Sequence, residues 1–164
     1  MKLDDLTRLL RPFSVRLANT IGRATVTSVD DARQVQDLQV ELLEGEVRDE
    51  VERFGEYGFT SVPPKDSEAV VIFVGGRRDH GLAIGVEDRR YRLKNLQPGE
   101  VGVYDMTGTR IVLKANGDLE IVPSSGKAKL TGDLEITGTV TAAGDVVAGA
   151  VSLKSHPHSA GALG

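Results

Sequence analysis

The side chains best suited to chemistry stand near the end of the chain, in Ser155-His156-Pro157-His158. In an extended backbone, residues i and i+2 project to the same side. Pro157 has a fixed φ and pushes His156 towards the extended region, so the spacing predicts two imidazoles pointing together. Two nitrogens in one chain are too few for a strong metal site. Three chains on a threefold axis would supply six, an octahedral cage of neutral imidazoles at His156 and His158. Imidazole suits Fe, Zn, Cu and Ni. Zinc usually closes at four ligands, so six donors favour Fe(II) or Ni(II), and availability in cells favours iron. With no open position such an ion is structural, and its binding energy would join chain ends that otherwise fray. The third histidine, His80, follows Asp79 in a predicted hairpin turn and is expected to be a solvated loop residue.

The stretch that must carry this pair is Gly117–Leu153, a glycine-punctuated run of short β units. Gly-Asp-Leu-Glu-Ile occurs at 117–121 and again at 132–136, and Gly126, Gly132, Gly138 and Gly144 recur every six residues. Such self-similarity is the mark of a β-solenoid or a winding fibre. Leu134, Ile136, Gly138, Val140 and Ala142 share one face of the alternation, while Glu135, Thr137, Thr139 and Thr141 share the other. A single apolar edge in so narrow a strip needs partners, which three chains wound about one axis provide. The inward residues also shrink along the run, as a tapering rod requires. Beyond Ala142 the phase is ambiguous, because Val146 and Val147 cannot both face inward.

Upstream, Gly22–Val29 and Val35–Leu42 alternate around Asp30-Asp31-Ala32-Arg33, a hairpin signal. A loop rich in Gly, Pro and charge runs through Pro63-Pro64-Lys65-Asp66. Ala69–Val74 is a continuous apolar run, expected to be a strand buried on both faces. Gly75-Gly76-Arg77-Arg78-Asp79 turns the chain, and His80–Val86 returns. About five short strands predict a small barrel of OB type. Residues 2–11 place Leu3, Leu6, Leu9 and Leu10 at helical spacing, and Pro12 is expected to end that helix. Ten residues are too few for a helix stable alone, so it serves either as a clip on its own barrel or as a docking peptide for a neighbouring protein. The predicted plan is all-β: an N-terminal segment (1–18), an OB-like barrel (19–95), an intertwined trimeric β-helix stalk (96–153) and a metal-binding apex (154–164).

Aromatic residues are only 4% of the 164 residues, Trp is absent and Gly numbers 19, so much of the apolar surface is expected to be buried between subunits. A net charge of −4 gives no reason to expect nucleic acid as a partner. With no cysteine, disulfides and thiolate sites are excluded. The N-terminus lacks the apolar stretch of a signal peptide, and a soluble protein made in the cytosol is expected. Glu41–Glu56 is strongly acidic and Arg77–Lys94 basic. Each reads as a solvated face, with contacts between subunits or to a hub as the alternative. No nucleophile elbow, no catalytic cysteine and no phosphate loop is present. The chain is expected to have neither enzymatic activity nor a small-molecule substrate.

A short N-terminal segment, an OB-like barrel, a Gly-rich stalk and the ending Gly144-Asp145-Val146-Val147-Ala148-Gly149…Val151-Ser152-Leu153-Lys154-Ser155-His156-Pro157-His158 together resemble the baseplate assembly protein V group, and within it the spikes of Mu-like phages. These are the central spikes of contractile-tailed bacteriophages. The resemblance implies a homotrimer seated on the baseplate hub at the tip of the tail tube, with iron held by His156 and His158 and with calcium and chloride in the stalk. It implies that the spike is made in the host cytoplasm and pierces the host outer membrane on sheath contraction. A receptor- or carbohydrate-binding tail fibre is the alternative. It would favour exposed aromatics near the tip, yet none follows Tyr104. The tail Ser159–Gly164 departs from the family pattern, lacking a Gly-Gly after the second histidine.

Overall fold

A computed structural model of the chain describes residues 3–155, and it divides into two compact units, 1–126 and 127–164. The first opens with helix α1 (Leu3–Ala18). Pro12 does not end it. A proline inside a helix removes one hydrogen bond, here the one to the Arg8 carbonyl, and both residues lie on exposed positions where water can replace it. Among the described residues no helix is long and apolar enough to cross a membrane.

Five strands follow: β1 (Ile21–Asp30), β2 (Gln36–Glu41), β3 (Val47–Arg53), β4 (Glu68–Phe73) and β5 (Gly81–Glu87). They close into a barrel in the order β1-β2-β3-β5-β4, with β3 and β5 parallel and every other pair antiparallel. The small barrel expected from the alternating runs is present, and the crossover from β3 to β5 gives it Greek-key rather than up-and-down connectivity. Its core is Ala24, Val26, Leu38, Val40, Val51, Ala69, Val71, Phe73 and Ala83. Valine and alanine dominate, and Phe73 is the one large ring, so the core is as shallow as the composition implied.

β4 corrects one expectation. Ala69, Val71 and Phe73 point inward, but Val70 and Ile72 point out, and Val70 is 42% exposed. Directly across the ladder, Ile72 pairs with Ile21 on one side and Leu82 on the other. The run is continuously apolar, then, because the barrel has an apolar outer row as well as a core. β3 was absent from the pattern because a bulge lies between its pairs Leu38↔Val51 and Val40↔Arg48, with Glu50 at φ +55°. The extra residue reverses the in–out phase, which turns the half-buried Arg48 rather than Val47 towards the core side.

The first unit ends in a three-stranded antiparallel sheet, β6 (Val101–Tyr104), β7 (Arg110–Leu113) and β8 (Leu119–Val122). One face carries Val112, buried at 3% exposure, and Leu93 and Leu96 of the connector leading from the barrel lie against its ladder partner Gly102. Gly102 leaves room for them: a Cβ there would meet Leu93 Cδ2 at 2.5 Å, and that side chain would have to shift. Glu100 Oε1 lies 2.9 Å from Lys114 Nζ and its Oε2 accepts the Gln97 N–H at 3.0 Å, which ties the sheet's entry to its second hairpin.

In the second unit, residues 127–146 form no strand among those described, and every residue from Ser124 to Val151 is exposed. A hairpin then closes the described chain: β9 (Val147–Ala148) pairs with β10 (Val151–Ser152), with Gly149 at φ +61° in its two-residue turn.

Candidate functional site: an unpartnered β face and a clamped C-terminal hairpin

Alternation along β6–β8 puts Val101, Val103, Ile111, Leu113, Leu119 and Ile121 on the face opposite Val112. The register sets them side by side: Val101↔Leu113↔Leu119 and Val103↔Ile111↔Ile121. They form two complete cross-strand rows, each residue 43–59% exposed. A solvated sheet face normally carries polar residues; this one carries none. Contiguous apolar surface of this kind marks an interaction site. Leu134, Ile136 and Val140, predicted to share an inward edge, are 69%, 47% and 62% exposed in an extended stretch with no strand partner among the described residues. Some twenty exposed residues that form no strand among those described are rare in a finished compact domain.

His156 and His158 lie outside the described residues. What leads up to them is described. The Asp145 carboxylate accepts the Ser152 hydroxyl and the Lys154 and Val146 amides, Lys154 N–H at 3.1 Å, and Leu153 N–H donates to the Val146 carbonyl at 2.9 Å. Ser155 N–H and Oγ both reach Ser152 Oγ, at 3.1 and 2.9 Å. The hairpin explains why Val146 and Val147 broke the alternation: the chain reverses here. One carboxylate therefore fixes the strand two residues before His156. The Ser152 hydroxyl first, then those amides, hold Asp145 below the ordinary carboxylate range. A depressed folded-state value means that the clamp contributes stability above the unfolded aspartate value, about 3.9, and loses it as pH falls through the lower folded one. The Lys154 amide resonance is expected to move with an acid midpoint below about pH 3.9, and Asp145→Asn should abolish that titration.

His80 is exposed in the β4–β5 turn, as expected. Much of the basic run is answered within the chain, and the acidic run meets cations at Glu46 and Glu50. Arg48 and Arg78 both reach Glu46, at 3.1 and 3.6 Å, Arg89 pairs with Glu68 at 2.6 Å, and Arg90 with Asp88 at 2.6 Å. Arg90 holds Asp88 down to about 2, and Asp88 also lies 3.2 Å from the hydroxyl of the buried Ser67. That hydroxyl donates to the Pro64 carbonyl at 2.6 Å, which makes Ser67 a strut for the barrel's exit rather than a nucleophile. Sequence reasoning passed over the β3–β4 loop, where Phe54, Tyr57 and Phe59 are all more than half exposed. Their signal was there to read: three of only seven aromatics lie within six residues.

Comparison with known proteins agrees with this architecture. A family profile described as "Bacteriophage Mu Gp45, N-terminal" matches residues 23–90, the barrel strands and the segment just after them. The "Baseplate puncturing device gp45" of Escherichia phage Mu is 42% identical over 144 residues, spanning 80% of this chain and 73% of that protein. The chain belongs to the phage Mu gp45 family. A second gp45 relative, the "Mu-like prophage FluMu protein gp45" of Haemophilus influenzae, is 34% identical over 175 residues and spans 95% of both chains. The family is the baseplate-spike group that the terminal motif suggested. The identities make this chain a relative of the Mu gp45 protein and not the same protein.

Proposed function

We propose that this chain is the central spike of a contractile-tail baseplate, a homotrimer whose interwoven C-terminal part pierces the host outer membrane. The observation that carries the reading is the six-residue apolar face of β6–β8, which is left bare while the opposite face of the same small sheet is covered. Three copies packed about an axis would cover it, and each extended 127–146 stretch would find strand partners in the other two. Every backbone group would then pair across chains with few free edges, which is what stiffness demands. The puncturing role named for the phage Mu relative supports the same reading. The barrel would seat on the baseplate hub at the tip of the tail tube.

His156 and His158 of three chains would hold one structural ion, iron by availability. Their donor chemistry fits, since six neutral imidazoles suit an octahedral Fe(II). Among the described residues no group of three or more His, Cys, Asp or Glu offers a competing site. When bound, the ion would supply cross-linking of the chain ends and no reaction.

Phage particles whose spike stops at Gly126 test the reading. They are expected to adsorb and contract normally yet fail to deliver DNA across the outer membrane. Normal delivery would overturn the piercing role, and loss of adsorption would point instead to the fibre function.

A further inference from the structure

Helix α1 carries a seam that the spike reading does not use. Leu3, Leu6, Leu10, Phe13 and Leu17 are spaced three, four, three and four residues apart. This is the a/d repeat of a coiled coil, with Leu3, Leu10 and Leu17 at a and Leu6 and Phe13 at d. Charged residues avoid it. Asp4, Asp5, Arg8 and Arg11 fall at b, c and f, and only Arg16, at g, borders the seam. Leu9 adds a second g position, broadening the strip beyond the two-per-heptad line of a two-stranded coil into the face of a bundle helix.

From Leu9 onward the strip is bare. Leu10 is 51%, Phe13 66% and Leu17 77% exposed. Yet the end of the helix is anchored. The Arg16 carbonyl sits so close to Gly76 that a Cβ there would come within 2.3 Å. Asn19 Oδ1 accepts from Arg78 at 3.2 Å, and the Thr20 carbonyl accepts the Phe73 N–H at 2.7 Å. A helix held at its last turn on the barrel rim, with its seam turned to water, is placed by the barrel and not by its own apolar side chains.

We propose that the seam is covered by the α1 helices of two further copies, forming a short parallel three-helix bundle on the axis of the trimer. The proposal rests on the trimeric reading above, because threefold symmetry makes three helices parallel and brings equivalent layers together. The charge pattern suits this occupant: a symmetric bundle sets each residue against its own kind, which a seam holding Asp or Arg at a or d would forbid and this seam permits. Pro12, at position c, faces away from the axis.

The chain has no cysteine, so one introduced thiol reports one position. Full-length Leu10→Cys (position a) and Arg8→Cys (position f) are treated with a short thiol-to-thiol cross-linker, and the mass of each is measured by light scattering. Leu10→Cys should yield covalent pairs from about two thirds of the chains, since three thiols in one layer leave one unmatched, and Arg8→Cys roughly tenfold fewer. Leu17→Cys, one heptad on, should repeat the Leu10→Cys result. Chains with the mass of three that cross-link equally at positions 8 and 10, or at neither, overturn the bundle and leave the trimer standing. Chains with the mass of one overturn the trimer and the bundle with it.

Discussion

In protein that stops at Gly126, where neither the 127–146 stretch nor the tip can hold the chains, Ile111→Asp combined with Ile121→Asp is expected to convert three chains to one while leaving the barrel folded. The two residues are directly opposed in the β7–β8 ladder and are the middle and last members of the row Val103↔Ile111↔Ile121. Fully burying such a side chain is worth about 1.5–3 kcal/mol, and these are already about half covered, so the six together would contribute on the order of 6 kcal/mol per chain to association. An uncompensated buried charge costs roughly 3–5 kcal/mol, and two per chain would cancel the whole contribution. Neither residue touches the barrel core, whose members all lie between Ala24 and Ala83. Light scattering should therefore report the mass of a single chain, while far-UV circular dichroism retains the barrel's β signal. A double variant that kept the mass of three chains would show that this face is not the contact.

The same residues explain what could be read from sequence and what could not. The β1–β2 hairpin was legible because its inward residues Ala24, Val26, Leu38 and Val40 alternate with polar ones. β3 was not, because its bulge reverses phase and its outward positions merge into an acidic run. Ile111-Val112-Leu113 hid the bare face: three apolar residues in a row announce a strand but conceal that Val112 alone is covered. Pro12 misled because its local penalty is real, yet a single lost hydrogen bond on an exposed helix face is small beside the amphipathic pattern on either side. The terminal hairpin was invisible for a subtler reason. Its strands are two residues long, too short for any period, and its cause is the Asp145 clamp, a contact across nine residues of chain. The repeats and the imidazole spacing were plain in the sequence; the partners proposed for them lie on other copies, which a single chain cannot display.

Removing both imidazoles, in His156→Ala/His158→Ala, is expected to abolish bound metal and to let the tip fray without dissolving the trimer. Purified protein should hold about one iron per three chains, and the double variant none, because no two donors remain on any chain to start a site. The trimer should survive, because the apolar face of β6–β8 and the extended 127–146 stretch lie well upstream in sequence. Fraying should begin at the strand that Asp145 holds through the Lys154 and Val146 amides. A clamp built of hydrogen bonds at the surface is weak, because water competes for each of them. Metal ligation of three chain ends would contribute far more, on the scale of about 10–16 kcal/mol for structural zinc in small domains. Limited proteolysis should accordingly cut the double variant after Lys154 much faster than the parent, at unchanged trimer mass. The single variants separate cage from pair: with three imidazoles left on the axis, His156→Ala and His158→Ala should each bind the ion weakly and lose it to a chelator that leaves the parent loaded. If the double variant kept its iron, the ion would have to sit elsewhere, and the two histidines would be no more than a polar end to the chain.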